Sequence, residues 1–358
     1  SPCNVQTVAI LKRSRFCISS LVRFKRAPIV NTASALDGQR ENEEISEKER
    51  LERAHSTPLK RFLWTLPQPI IVFGGMIAVA LSITSDVITP EAFGEGADTF
   101  TALLLFAPLP IIWLAERIWA RRKDWLLSPK EYAEDCFWLF TGFFIWVPLF
   151  TDYYHTPIED AFKWVSDKSF IPFSLEAATI PGLILCAILA RTLGEFIYYW
   201  LHRLQHVTLL GWRIHATHHH ITKMGAARSD RTHPLEYLAL GFSTGIVLAL
   251  LGASEEVIAV TAAFSFTGGW MTHANLPLRA GVYGWFFTAA EHHHAHHSTN
   301  LAQSNCNYGC NVIIWDRIFG TFCSASTIDG VGAGKGEPLP IWVQYALSFF
   351  PNKRLKQI

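Results

Sequence analysis

Residues 178–206 read ATIPGLILCAILARTLGEFIYYWLHRLQH. Up to Trp200 the stretch carries only Arg191 and Glu195 as charged residues, and its length is close to the ~20 residues a helix needs to cross a bilayer core. It then runs without interruption into His202 and His206, four positions apart, so on a helix both rings leave the same face. A membrane helix that ends in paired imidazoles governs the reading of everything around it.

Further apolar runs occupy 69–85, 100–115, 136–151, 235–252 and 256–272, each bounded by charge or proline. One such run could be a buried core helix; six in succession point to an all-α integral membrane protein. Composition agrees: of the 358 residues 50% are hydrophobic and only 17% charged, against about a quarter in a soluble domain. Lys and Arg number 31 and Asp and Glu 30, which leaves no basic surplus for phosphates and excludes a nucleic-acid partner. The 7 cysteines form no CxxC and no disulfide framework, which fits a reducing compartment. Cys306 and Cys310 are expected to be buried free thiols.

Basic residues orient the spans. Lys60 and Arg61 precede the first run and Arg117, Arg121, Arg122 and Lys123 follow the second, whereas the loop 86–98 is acidic. The positive-inside tendency puts the ends after the second and fourth runs in the cytoplasm. The fifth and sixth runs are joined only around Ser254 and Glu255 and read as a hairpin that dips in and returns. The expected architecture is therefore four transmembrane helices, a short membrane hairpin and a cytoplasmic helical cap. Residues 1–65 form a tail and linker, basic over 1–36 and acidic over 37–54; the basic part is a solvated segment, or alternatively an organelle transit peptide. Residues 66–200 hold the spans, 201–325 a catalytic domain with the hairpin at about 235–272, and 326–358 a C-terminal tail.

Of the 15 histidines, 13 lie between His202 and His297. Beside the first pair, HATHHH supplies His215, His218 and His219 and EHHHAHH supplies His293, His296 and His297, each an i, i+3, i+4 stripe on one helical face. At 100° per residue His220, His292 and His294 fall off these stripes. The mean direction of His215, His218 and His219 lies roughly 190° from that of His202 and His206 on one continuous helix. A break is required between them, and Gly211 is the residue expected to supply it. Eight ligand-spaced imidazoles exceed the three or four of a single site and fit two adjacent metals. His273 is a ninth candidate. His233 and Asn275 are further candidates near the metals, as is Glu195, either through an imidazole N–H or in an ion pair with Arg191. Asp316 with Arg317 reads as a structural pair, and Ile313, Ile314, Phe319 and Phe322 as an apolar docking face. Phe137, Trp138, Phe143, Phe144 and Trp146 are candidates to line a path for an apolar chain. Two other functions stay open on the residues alone. One is a membrane metal carrier, which would want polar residues along its spans; the other is a zinc hydrolase, for which Glu291 is the candidate base.

The set YYWLHRLQH, HATHHH, RTHPLE, HAN, HHHAHH and NYGCNVIIWDRIFGTF, over about 191–323, resembles the fatty acid hydroxylase and sterol desaturase superfamily of membrane oxygenases. The chain departs from the family where His273 stands alone, with Gly269 four residues earlier, at a box that often holds two histidines. The resemblance implies a non-haem di-iron centre held by His202, His206, His215, His218, His219, His293, His296 and His297. It further implies hydroxylation or desaturation of a lipid C–H bond with O₂. An alkyl C–H bond is inert to acid or base, and zinc cannot change oxidation state, so iron is the coherent choice. The chain has no HPGG-type haem segment and no GxGxxG fingerprint, so the electrons come from a separate donor, by family analogy a membrane cytochrome or a ferredoxin. The C-terminal motifs also resemble alkylglycerol monooxygenase, which makes tetrahydrobiopterin the alternative reductant. The implied location is the endoplasmic reticulum membrane with the site facing the cytoplasm, or another organelle membrane.

Overall fold

A computed structural model of the chain describes residues 51–85, 87, 104–169, 174–240, 242–324, 327–333 and 339–351. The basic tail, most of the acidic segment and nearly all of the 86–98 loop lie outside these residues. Among the described residues there is no strand, only isolated bridges such as Phe287 with Val312.

The helices open where the sequence places proline or a capping hydroxyl. Helix α1 (Pro58–Leu63) and α2 (Pro67–Thr84) start on prolines, whose missing N–H would have no helical partner there. The same holds for α3 (Pro108–Ile118) and α4 (Pro129–Thr141). At α4 a capping box adds to this: Ser128 Oγ accepts from Glu131 N and Glu131 returns a carboxylate to Ser128 N. The chain then continues helically, with π turns over Gly142–Trp146 and Thr151–His155, into α5 (Thr156–Lys168). Helix α6 (Ile180–Val207) is capped by Thr179 and leads into α7 (Leu209–His219). After short turns come α8 (Phe242–Leu250) and α9 (Glu255–His273), then α10 (Ala290–His296), α11 (Ile314–Ile318) and α12 (Ile341–Ala346).

Three helical segments among the described residues are long and apolar enough to cross a membrane: Pro58–Thr84, Pro129–Lys168 and Ile180–Val207. The run at 100–115, expected to be a fourth span, is described only from residue 104, is helical over 104–106 and, after a turn at Ala107, continues as α3. Leu81, Ile111, Leu114, Phe140, Phe144 and Leu185 are exposed on the outer faces of these helices, which suits lipid and not water. The expected hairpin is formed by α8 and α9 and is packed into the helix core. Helix α9 is buried on most sides, from Val257 through Phe264 to Trp270, and packs against α2 and α6 as the central element of the core.

The required break between the two histidine stripes is present, but not at Gly211. Thr208, extended at φ −119° and ψ 143°, ends α6 and caps α7, its hydroxyl accepting from Gly211 N at 3.1 Å. A hydroxyl that satisfies an orphan helical amide is a sufficient turning device, and the sequence reading overlooked it in favour of backbone freedom. Gly211 serves a different purpose: a Cβ there would stand 2.5 Å from Gln205 Cα and 2.8 Å from Leu204 O. Gly211→Ala is accordingly expected to destabilise the protein by about 1–3 kcal/mol, since backbone cannot give way as a side chain does. Thermal melting of detergent-purified protein would read this, and an unchanged midpoint would refute it.

Candidate metal centre

The break lets α6 and α7 fold back on each other, so their stripes face across a short gap, and α9 and α10 bring the remaining rings. The nine histidines singled out in the sequence come together in two groups. His202, His206, His215, His219 and His296 form one; His218, His273, His293 and His297 form the other; within each, one nitrogen per ring lies within 4.8 Å of all the rest. The groups adjoin, with the rings of His219 and His297 stacked at 4.4 Å. All nine are buried except His206, which is partly so. Burial holds His218 and His296 down at about 4, so these rings are neutral near pH 7.

The outer nitrogens decide where the lone pairs point. A carbonyl oxygen only accepts, so His202 Nδ1, 2.6 Å from Tyr308 O, must carry the hydrogen, as must His296 Nδ1, 2.7 Å from Cys306 O. His273 Nδ1 likewise donates to Gly269 O at 2.9 Å, and His215 Nδ1 to the Glu236 carboxylate at 3.2 Å. A neutral imidazole has one N–H, so each of these rings turns a bare Nε2 inward. The result is His202 Nε2 facing His215 Nε2 at 2.8 Å and His296 Nε2 at 3.1 Å, acceptor against acceptor. Among the described residues, the buried Nε2 atoms of His206 and His219 have no hydrogen-bond partner. Lone pairs crowded this closely repel unless a cation stands among them, and neutral imidazole nitrogen suits iron, zinc, copper and nickel alike. The donor set therefore fits two transition-metal ions, one in each group.

The second-rank candidates lie elsewhere. Glu195 bonds no imidazole: it pairs with Arg191 at 2.8 Å and accepts from the amides of Cys310 and Asn311, pinning the 307–311 turn to α6. His233 donates to Tyr345 O and accepts from Leu235 N. Asn275 clasps the backbone of Arg122 through both ends of its amide. His292 packs on Phe322 and His294 on Trp125 and Arg121. Glu291, the hydrolase candidate, accepts from Ala280 N, away from the nine rings. The expected Asp316–Arg317 pair does not form. Asp316 accepts from Tyr308 N, Gly309 N and Thr321 Oγ1, while Arg317 donates to the carbonyls of Gly284 and Trp285. Adjacent helical residues point about 100° apart, which is why neighbours in sequence seldom pair. Cys306 is a buried free thiol as expected, whereas Cys310 is only partly covered.

Glu236 escaped the sequence reading although it stands in the quoted RTHPLE. It reaches His215 with one oxygen and takes Gln205 Nε2 at 2.7 Å with the other. Its signal was a carboxylate on the first turn after Pro234, three residues past a histidine. The residues read as a C-terminal tail also contribute, since α12 stacks Tyr345 on Trp138 at 4.5 Å and gives its Gln344 carbonyl to Thr217 on α7. Replacing Glu236 with Gln is expected to weaken metal binding by about 10–100-fold. Competition with a chelator would measure it, and unaltered affinity would remove Glu236 from the site.

A cavity of about 480 Å³ reaches both groups, with His202 and His215 of the first and His218, His273 and His293 of the second in its wall. Val147, Leu248, Ile258, Phe266 and Trp270 give it an apolar lining. Of the five aromatic residues proposed to line a path, only Phe143 does so; Trp138 is buried under Tyr345, and Phe137 and Phe144 face outward.

Residues 187–321 match the fatty acid hydroxylase family. The matched segment carries all nine histidines and most of the cavity wall. Similar proteins include the ornithine lipid hydroxylase OlsE of Rhizobium tropici, 38% identical over 38% of this chain and 41% of that protein. Methylsterol monooxygenase 1 of Rattus norvegicus is 30% identical over 51% of this chain and 59% of its own length. Alkylglycerol monooxygenase of Xenopus tropicalis is 30% identical over 36% of this chain and 28% of its own length. The matched stretches thus cover less than two thirds of each relative. No solved structure matches the chain.

Proposed function

We propose that the protein is a membrane di-iron oxygenase that uses O₂ and two external electrons to hydroxylate or desaturate an alkyl position of a lipid. The observation that carries this reading is the apolar cavity walled by imidazoles of both groups, which brings an unreactive chain beside two metal positions. Iron, when bound, supplies the redox activation of O₂ that no side chain offers toward a C–H bond. The chain's own part is positional. His202, His206, His215, His219 and His296 hold one ion and His218, His273, His293 and His297 the other. The carbonyls of Tyr308, Cys306 and Gly269 and the Glu236 carboxylate keep four of these rings aimed inward. Phe143, Phe266, Trp270 and Leu248 exclude water and orient the chain.

The relatives act, by their names, on ornithine lipids, methylsterols and alkylglycerols, which supports a lipid substrate without choosing one. The electrons come from a separate donor, a membrane cytochrome or ferredoxin, with a pterin as the alternative that the likeness to alkylglycerol monooxygenase supports. The histidine end faces the cytoplasm, in the endoplasmic reticulum or another organelle membrane. Lipid mass spectrometry of cells expressing the chain, against His218→Ala, tests the reaction. A species heavier by one oxygen or lighter by two hydrogens, absent with the variant, is expected; identical lipid profiles would overturn it.

A further inference from the structure

We infer that Glu159 selects the substrate, its carboxylate receiving the hydroxyl or ammonium end of a lipid whose alkyl chain extends to the histidines. The inference rests on the oxygenase reading for the reaction but not for binding.

The cavity follows α9 from His273 to Ile258, about 22 Å at 1.5 Å per residue. Glu159, on α5, lines it, and among the described residues no hydrogen bond or ion pair reaches its carboxylate. The neighbouring donors point mostly elsewhere, and of the Arg191 guanidinium only Nε is without a hydrogen-bond partner among the described residues. Arg191 donates to Thr244, Glu195 and Asn311, and His155, one turn before Glu159, donates to Tyr237 O at 2.7 Å. Gly245 on α8 makes room for the carboxylate, since a Cβ there would overlap Glu159 Oε1. Glu159 is half-buried in a wall that mixes Thr151, Ser243 and Thr244 with Val147 and Leu248, and a carboxylate so placed favours a ligand that brings a donor.

Its depth is fixed by α6. Thr244, beside Gly245, packs on Gly194, where a Cβ would stand 2.8 Å from Thr244 Cα. Gly194 lies eight residues, about 12 Å, before His202. A lipid anchored at Glu159 therefore presents to the metal positions a carbon on the order of 12 Å from its donor group. Anchoring one end would fix which carbon is oxidised.

The test uses the full chain in detergent, titrated with hexadecylamine, hexadecan-1-ol and hexadecyl methyl ether, with binding followed by calorimetry. Wild type is expected to bind the amine and the alcohol at least about tenfold more tightly than the ether, which has no donor. Glu159→Gln, which has no charge to meet an ammonium, should keep the preference for the alcohol over the ether and lose that for the amine, and Glu159→Leu should lose both. A wild-type protein that treats the three alike, or a Glu159→Leu protein that melts normally and still discriminates, would overturn the anchor. Should the Leu variant not fold, an undiminished amine preference in Glu159→Gln would do so. Failure here with lipid oxidation intact would leave the oxygenase reading standing, whereas discrimination without any oxidised lipid would do the reverse.

Discussion

Alanine at His296 and alanine at His297 should each weaken the binding of one of about two iron equivalents in anaerobically reconstituted protein and leave the other as it is, and the double variant should weaken both. The two residues are adjacent, yet their rings sit in different groups. His296 ends α10 and joins His202 and His215, while His297, just past the helix, turns to His293 and His218 with its plane at 83° to that of His296. Oxidised lipid should fall by more than the ~100-fold seen when only an outer partner of a ligand is lost. Iron counted by mass spectrometry and lipid product measured together decide the matter. A single variant that weakened both ions alike would show that the two groups do not hold separate metals.

The largest effect on stability should follow Asp135→Ala. Asp135 is wholly buried on α4 between Arg231 and Arg228, themselves 5% and 3% exposed. Glu131 also reaches Arg228 and Glu134 reaches Arg231, but from partly exposed positions. Removing one member of a buried set leaves guanidinium charge without compensation, and a loss of about 3–5 kcal/mol is expected. Lys130→Ala on the same helix removes a pair whose lysine is 86% exposed and should alter stability by less than ~0.5 kcal/mol. Melting curves in one detergent compare the two; equal midpoints would refute the account. The network matters beyond stability because it fixes residues 226–231, which place Ser229 and Asp230 in the cavity wall.

Much of the fold could be read from runs without charge, because a bilayer penalises charge so heavily that its helices announce themselves. The span count was harder, since the start of the 100–115 run lies outside the described residues and α9 uses a membrane-like composition to fill a protein core. Within the site, the i, i+3, i+4 spacing put rings on common faces, and the opposed directions of His202 and His215 demanded a break. Locating that break needed the knowledge that Thr208 would cap one helix while ending another, which spacing does not encode. Glu236, Tyr345 and Gln344 were hidden for a related reason: their contacts are long-range, and nothing in a nine-residue C-terminal stretch shows that it will lie against α7.

Three of the inner imidazoles are steered by main-chain oxygens, those of Tyr308, Cys306 and Gly269. Such an acceptor cannot be deleted by exchanging a side chain, although at Tyr308 the side chain matters as well, since its ring packs on His202, His206 and His296. The path of the chain is constrained too: Asn307, at φ 55°, and Asp316 tie down the loop that carries the Tyr308 carbonyl. Anyone wishing to detune this centre by degrees should edit those two anchors and leave the residue whose oxygen does the holding unchanged.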